Sequence, residues 1–107
     1  MDKLHRKAKR KIEREYNKFR RFNLRYASKE EIWDISHKVY FMSCAMEYYS
    51  LNTGIPKLYL ELAVIDPALL QTMWSVYLKN ENLGCETWKD IEEILEQVIV
   101  QWKLEAA

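Results

Sequence analysis

The sequence predicts an all-α fold: a compact bundle of four to five helices with a long basic amphipathic helix at its N-terminal end. Three observations carry that prediction. The 107 residues include only two glycines and two prolines, too few turn residues for an all-β domain of this length. Apolar residues make up 49% and aromatics 13%, which excludes a disordered chain and suffices for one core but not two. Apolar residues also recur at spacings of three and four along most of the chain, with helix-start signals between the runs. One helical domain over residues 1–107 is therefore expected, with a basic helix (1–26) packed on an acidic helical body (27–107).

The charge split is sharp. In the first 25 residues eleven Lys and Arg stand against three acids, a balance of +8, whereas the remaining 82 carry six bases against thirteen acids, a balance of −7. Leu4, Ala8, Ile12, Tyr16, Phe19, Phe22 and Tyr26 fall within a sector of about 120°, the width of a core-facing stripe. Nearly opposite lie Lys3, Lys7, Arg10, Arg14, Lys18, Arg21 and Arg25, a cationic ridge about six turns long on a helix spanning 3–26. Asp2 near the start and Arg25 near the end suit the helix dipole. The stripe argues for a packed helix whose ridge is preorganised. Only the first turn or two, where the stripe thins to Leu4 and Ala8, is expected to behave as an arm.

Ser28-Lys29-Glu30-Glu31 is a capping box that opens a second helix over 29–50. It carries two apolar stripes. Ile32, Ile35, Val39, Met42, Met46 and Tyr49 form one, and Trp33, His37, Tyr40, Cys44, Tyr48 and Leu51 form the other, so it should be the central helix, packed from two sides. Asn52-Thr53-Gly54 ends it, and Pro56 stands at or next to the start of the following segment, KLYLELAVI. That segment reads equally as a strand of period two. With no second strand to pair with, a short buried helix is the better reading. Asp66-Pro67 predicts an N-cap followed by proline at the first helical position, opening a helix through Leu70, Met73, Trp74 and Tyr77 that stops near Asn80 to Gly84. Thr87-Trp88-Lys89-Asp90 is a capping sequence with Asp in place of Glu, and Trp88, Ile91, Leu95, Val98 and Trp102 form a seam on the last helix.

The order of these elements resembles small uncharacterised helical domains carried by Gram-positive gut bacteria and their mobile elements. The features that carry it are Tyr16 and Phe19 on a charged first helix, Ser28-x-Glu30-Glu31-Ile32 opening the second, Leu69-Leu70 and Trp74 to Leu78 in the middle, and Asp90-Ile91-Glu92 near the end. The resemblance implies a cytoplasmic accessory protein and brings no catalytic residues with it.

Chemistry-bearing constellations are few. Asp2/His5 and Asp34/His37 have the i, i+3 spacing of di-metal bundles, with Glu47 or Glu61 as conceivable further ligands, but such sites use Glu-x-x-His and several inward carboxylates. His37 and Cys44 share a stripe, yet seven residues of helix separate them by about 10 Å, too far for proton transfer. His37 is read instead as a satisfied histidine at a helix–helix contact, and Glu61 as a partly buried acid paired with a basic side chain. Neither glycine belongs to a phosphate-binding loop. Cys44 and Cys85, 41 residues apart, signal neither a disulfide framework nor a zinc site and fit a reducing compartment. No apolar run long enough for a leader or a membrane span is present, so a cytoplasmic protein is expected. No cofactor, metal or catalytic residue is assigned.

The ridge remains as the candidate site. It is either a solvated face, alone or set against the acidic last helix of the same molecule, or a contact surface. The expected function is that of a noncatalytic accessory protein, an adaptor or stoichiometric inhibitor of a larger protein, including one that handles nucleic acid. The alternative is nonspecific nucleic-acid binding through the first helix, whose width suits a major groove, although the acidic body would repel a wrapped duplex. Self-association through the basic ridge and acidic helix is compatible with both.

Overall fold

A computed structural model of the chain describes residues 2–26, 29–80 and 82–106, with side chains described over 2–22, 35–80 and 82–103. It contains five helices: α1 (Lys3–Tyr26), α2 (Lys29–Leu51), α3 (Lys57–Ile65), α4 (Leu69–Lys79) and α5 (Trp88–Ala106). Among the described residues there is no strand. The segment that sequence left between helix and strand is helical, with Tyr59, Leu60, Leu62 and Ala63 turned into the core. All five helices feed one core, which α1 enters through Ala8, Ile12 and Tyr16.

α1 is tied down from its first residue. Asp2 is its N-cap: Oδ1 accepts the His5 N–H at 2.8 Å, and the Asp2 carbonyl accepts the Arg6 N–H at 3.1 Å. The His5 ring, 4% exposed, lies 2.7 Å through Nε2 from the Tyr49 carbonyl. A carbonyl can only accept, so Nε2 carries the proton. The first turns are thus a docked end and not the expected arm. Ala8 makes close approach possible because it is small, and His5 adds a polar anchor that hydrophobic periodicity does not count. Toward the other end of the described stripe the side chains are less covered, with Phe22 67% exposed.

The capping box at Ser28 and Glu31 lies outside the described residues and side chains. Further along α2, Phe41, Met42, Ala45, Tyr48 and Tyr49 are fully buried, whereas Tyr40 and Leu51 are exposed. The second stripe is therefore centred on Phe41, Ala45 and Tyr48: Tyr48 is buried as expected, but Phe41 and Ala45 take the inward positions expected of Tyr40 and Leu51. α2 still packs on two sides, against α1 and against α4 and α5. The turn after it is held by the Asn52 carboxamide oxygen, which accepts the Gly54 N–H at 2.8 Å. Pro56 is the N-cap of α3, and its carbonyl accepts the Tyr59 N–H at 3.0 Å.

The start of α4 departs from expectation. Asp66 closes α3, its N–H bonding the Leu62 carbonyl, and Ala68, which has no capping side chain, is the N-cap of α4. Asp66 braces the junction through Oδ1 to the Ala68 N–H and Oδ2 to the Thr72 hydroxyl, both at 2.9 Å. The caps for α4 come from another helix, as shown below.

At α5 the capping sequence forms both reciprocal bonds. Thr87 Oγ1 accepts the Asp90 N–H at 3.1 Å and Asp90 Oδ2 accepts the Thr87 N–H at 3.2 Å. Gly84 makes room for that carboxylate: a Cβ there would stand 2.9 Å from Asp90 Oδ2. Ile91, Leu95 and Val98 of the seam are buried together with Ile94, but Trp88 and Trp102 are 47% and 40% exposed. They sit at the two ends of a 19-residue helix that packs on the 11-residue α4, which cannot cover both.

Candidate macromolecule-binding face

The outward face of α1 is positioned by charges on its inward edges. Lys11 Nζ donates to the Val64 carbonyl at 2.8 Å, in the last turn of α3. One turn on, Glu15 accepts the Leu70 N–H at 2.8 Å and the Gln71 N–H at 3.0 Å, one on each carboxylate oxygen, at the start of α4. With the His5 ring N–H at the end of α2, one helix caps three others, and the Lys11 and Glu15 pairings have the sign the helix dipole favours. Burial pushes the Glu15 carboxyl above its ordinary range, and its bonds to Leu70 and Gln71 pull it back. Lys38 completes the cluster: its ammonium reaches the Gln71 side chain and lies 4.6 Å from the Phe19 ring centroid.

With the inward edges so occupied, the ridge faces solvent. Lys3, Lys7, Arg10, Arg14, Lys18 and Arg21 are all exposed. The Arg25 side chain lies outside those described. Among the described residues the only ion pairs are Lys9–Glu13 at 3.9 Å and Lys57–Glu61 at 3.8 Å, so none of the six pairs with a carboxylate. The six span about 27 Å of helix in steps of about 4.5–6 Å. Arg10, Arg14, Lys18 and Arg21 border a shallow open furrow with Asn17 and Phe22. Glu13 also borders it, and its carboxylate accepts the Ser50 hydroxyl at 3.3 Å in addition to facing Lys9.

The acidic last helix is not set against this ridge. α1 packs on α2, α3 and α4, whereas α5 packs chiefly on α4 and α2. Two α5 carboxylates are engaged from within the bundle: Glu92 accepts the Tyr48 hydroxyl at 2.8 Å, and Glu96 accepts the Tyr59 hydroxyl. Burial and the neighbouring carboxylate hold both phenols protonated well above the ordinary tyrosine range.

The other sequence candidates disperse. Asp2 and His5 face different partners, the His5 amide and the Tyr49 carbonyl, and do not converge. His37 lies at the α2–α4 contact, 3.2 Å through Nε2 from the Tyr77 hydroxyl and edge-on to Trp74 at 5.3 Å. The Asp34 side chain is outside those described. Glu61 is half-exposed and paired with Lys57, and Glu47 is exposed. Among the described residues no three His, Cys, Asp or Glu side chains gather as a ligand set.

Two features were not anticipated. The Cys44 and Cys85 thiols, far apart in sequence, interact with each other beside the Tyr40 and Tyr77 hydroxyls. Burial pushes both thiols up, Cys85 to about 11, which keeps them protonated and poorly nucleophilic at neutral pH. No spacing rule could have shown this. The capping role of Glu15 did leave a trace, because it is an acid inside the apolar sector of a basic helix, where a charge needs a buried partner.

Set against family models, curated proteins and solved structures, the chain matches none.

Proposed function

We propose that this is a noncatalytic accessory protein that binds a larger anionic partner through the outward face of α1. The observation that supports this reading best is the row of six exposed bases without an ion-pair partner among the described residues. Like charges on successive turns, without an ion-pair partner among the described residues, repel one another and add nothing to folding, so their concentration on one face is more useful to an interaction than to stability. The three capped helix ends hold the row rigid, which lowers the entropic cost of association. The resemblance to small uncharacterised helical domains of Gram-positive gut bacteria and their mobile elements, which implies a cytoplasmic accessory protein, is compatible with this reading. No helix among the described residues is long and apolar enough to cross a membrane.

The reading is tested by pull-down at physiological salt with the native chain and with R10E/R14E/K18E/R21E as bait. One stoichiometric partner held by the native chain and lost by the variant is the expected result. A partner held equally by both would remove α1 from the interface.

A further inference from the structure

We infer that the anionic surface taken by α1 is the sugar–phosphate backbone of duplex nucleic acid, an inference that rests on reading the outward face of α1 as the binding surface. The first argument is the composition of the face. Protein interfaces place apolar and aromatic anchors at their centre, relegate charge to the rim and are depleted in lysine. The α1 row departs from that pattern: Arg10, Arg14, Lys18 and Arg21 run along the furrow beside Asn17, its acid Glu13 faces Lys9 and Ser50, and its aromatic Phe22 lies at one end, while Ala8, Ile12 and Tyr16 are spent on the core. A row centred on cations and one amide suits phosphate oxygens, which supply charge and hydrogen-bond acceptors and require no apolar anchor.

The second argument is the disposition of the acids. An acidic body would repel a duplex if it flanked the row, but α5 packs away from α1, and Glu92 and Glu96 are engaged by Tyr48 and Tyr59. Glu15 is turned into α4, and Glu13 faces Lys9 and Ser50. These four acids are thus held by partners other than the ridge.

The third argument fixes the mode of contact. The row is Lys and Arg, with Asn17 as the one neighbouring amide among the described side chains suited to a base edge, so its donors are directed at phosphate oxygens and the contact tracks charge without reading sequence.

The test uses the full chain, a fluorescent mixed-sequence 20-base-pair DNA duplex and, as a protein-like polyanion, poly-glutamate of similar charge. Log affinity for the duplex should fall linearly with log salt, with a slope of about 0.9 per phosphate engaged. Five contacts would weaken binding about 500-fold between 50 and 200 mM salt. R10E/R14E/K18E/R21E should abolish binding. K57E/K79E/K89E/K103E, which changes net charge equally at exposed positions off the ridge, should bind within about threefold of the native chain. Circular dichroism establishes that each variant is folded. If the ridge reversal is not, R14A/R21A replaces it, and its salt slope should drop by about 1.8. Equal losses in the two quadruple variants would overturn the inference, because net charge and not the ridge would then govern binding. Tight binding of poly-glutamate without the duplex would overturn it while leaving the proposed function standing. Binding of neither probe would overturn the inference, and the pull-down alone would then decide the proposed function.

Discussion

The two ends of the charge split, α1 and α5, hold their charges in different ways. On α5, Glu92 and Glu96 receive hydroxyls from Tyr48 on α2 and Tyr59 on α3, so part of the helix's acidity is internal wiring. On α1, the charges that lie toward the bundle, Lys11 and Glu15, are wired in the same manner, and those that lie away from it have no such use. Net charge treats the two helices as mirror images. Their partners do not: an acid satisfied by a buried phenol belongs to the fold, and a base facing only water is free to belong to something else.

Four substitutions would break or sharpen that contrast. Ile12→Ala, on the inward face of α1, should cost about 2–5 kcal/mol in denaturant unfolding, because Ile12 is buried in the core that all five helices share. A loss below about 1 kcal/mol would mean that α1 is not part of the core. Glu15→Ala strips two amides at the start of α4 of their acceptor and should cost about 1–3 kcal/mol in the same measurement. Its effect should exceed that of Glu13→Ala, whose carboxylate meets only Lys9 and Ser50.

On the other side, Tyr48→Phe should cost about 1 kcal/mol and also change the pH profile. The folded state raises the Tyr48 pKa, so this contribution is complete below the unfolded phenol's value of about 10 and is lost as pH climbs beyond it. Melting scans from pH 8 to 11 should therefore show an alkaline decline that is shallower in the variant. An identical decline would assign it to Tyr49 and Tyr59, whose phenols are raised as well. Arg14→Ala should change stability by less than about 0.5 kcal/mol, as expected of a surface base with nothing to hold. A larger loss would show that the ridge serves the fold.

What the sequence disclosed, and what it hid, follows from the range of the interactions. The five helices were legible because they rest on local signals: the seam of Ile91, Leu95 and Val98, and a capping box whose two halves, Thr87 and Asp90, are three residues apart. The ridge was legible as a row for the same reason. The start of α4 was misread because Asp66-Pro67 is a local signal overruled by Glu15, more than fifty residues earlier in the chain. Docking of the first turns was missed because it depends on a histidine–carbonyl bond across 44 positions. Whether the ridge was paired with α5 depended on which helices pack together, and helical periodicity says nothing about neighbours.

Because α1 supplies caps to the ends of α2, α3 and α4, it has little freedom to open alone. Detaching it would orphan backbone groups on three helices at once, so its central amides should exchange with deuterium only when the whole domain unfolds. Mechanical coupling follows from this. A partner that grips the ridge loads the entire bundle through those caps, and its binding energy should appear as a raised melting temperature of the whole domain in place of local tightening.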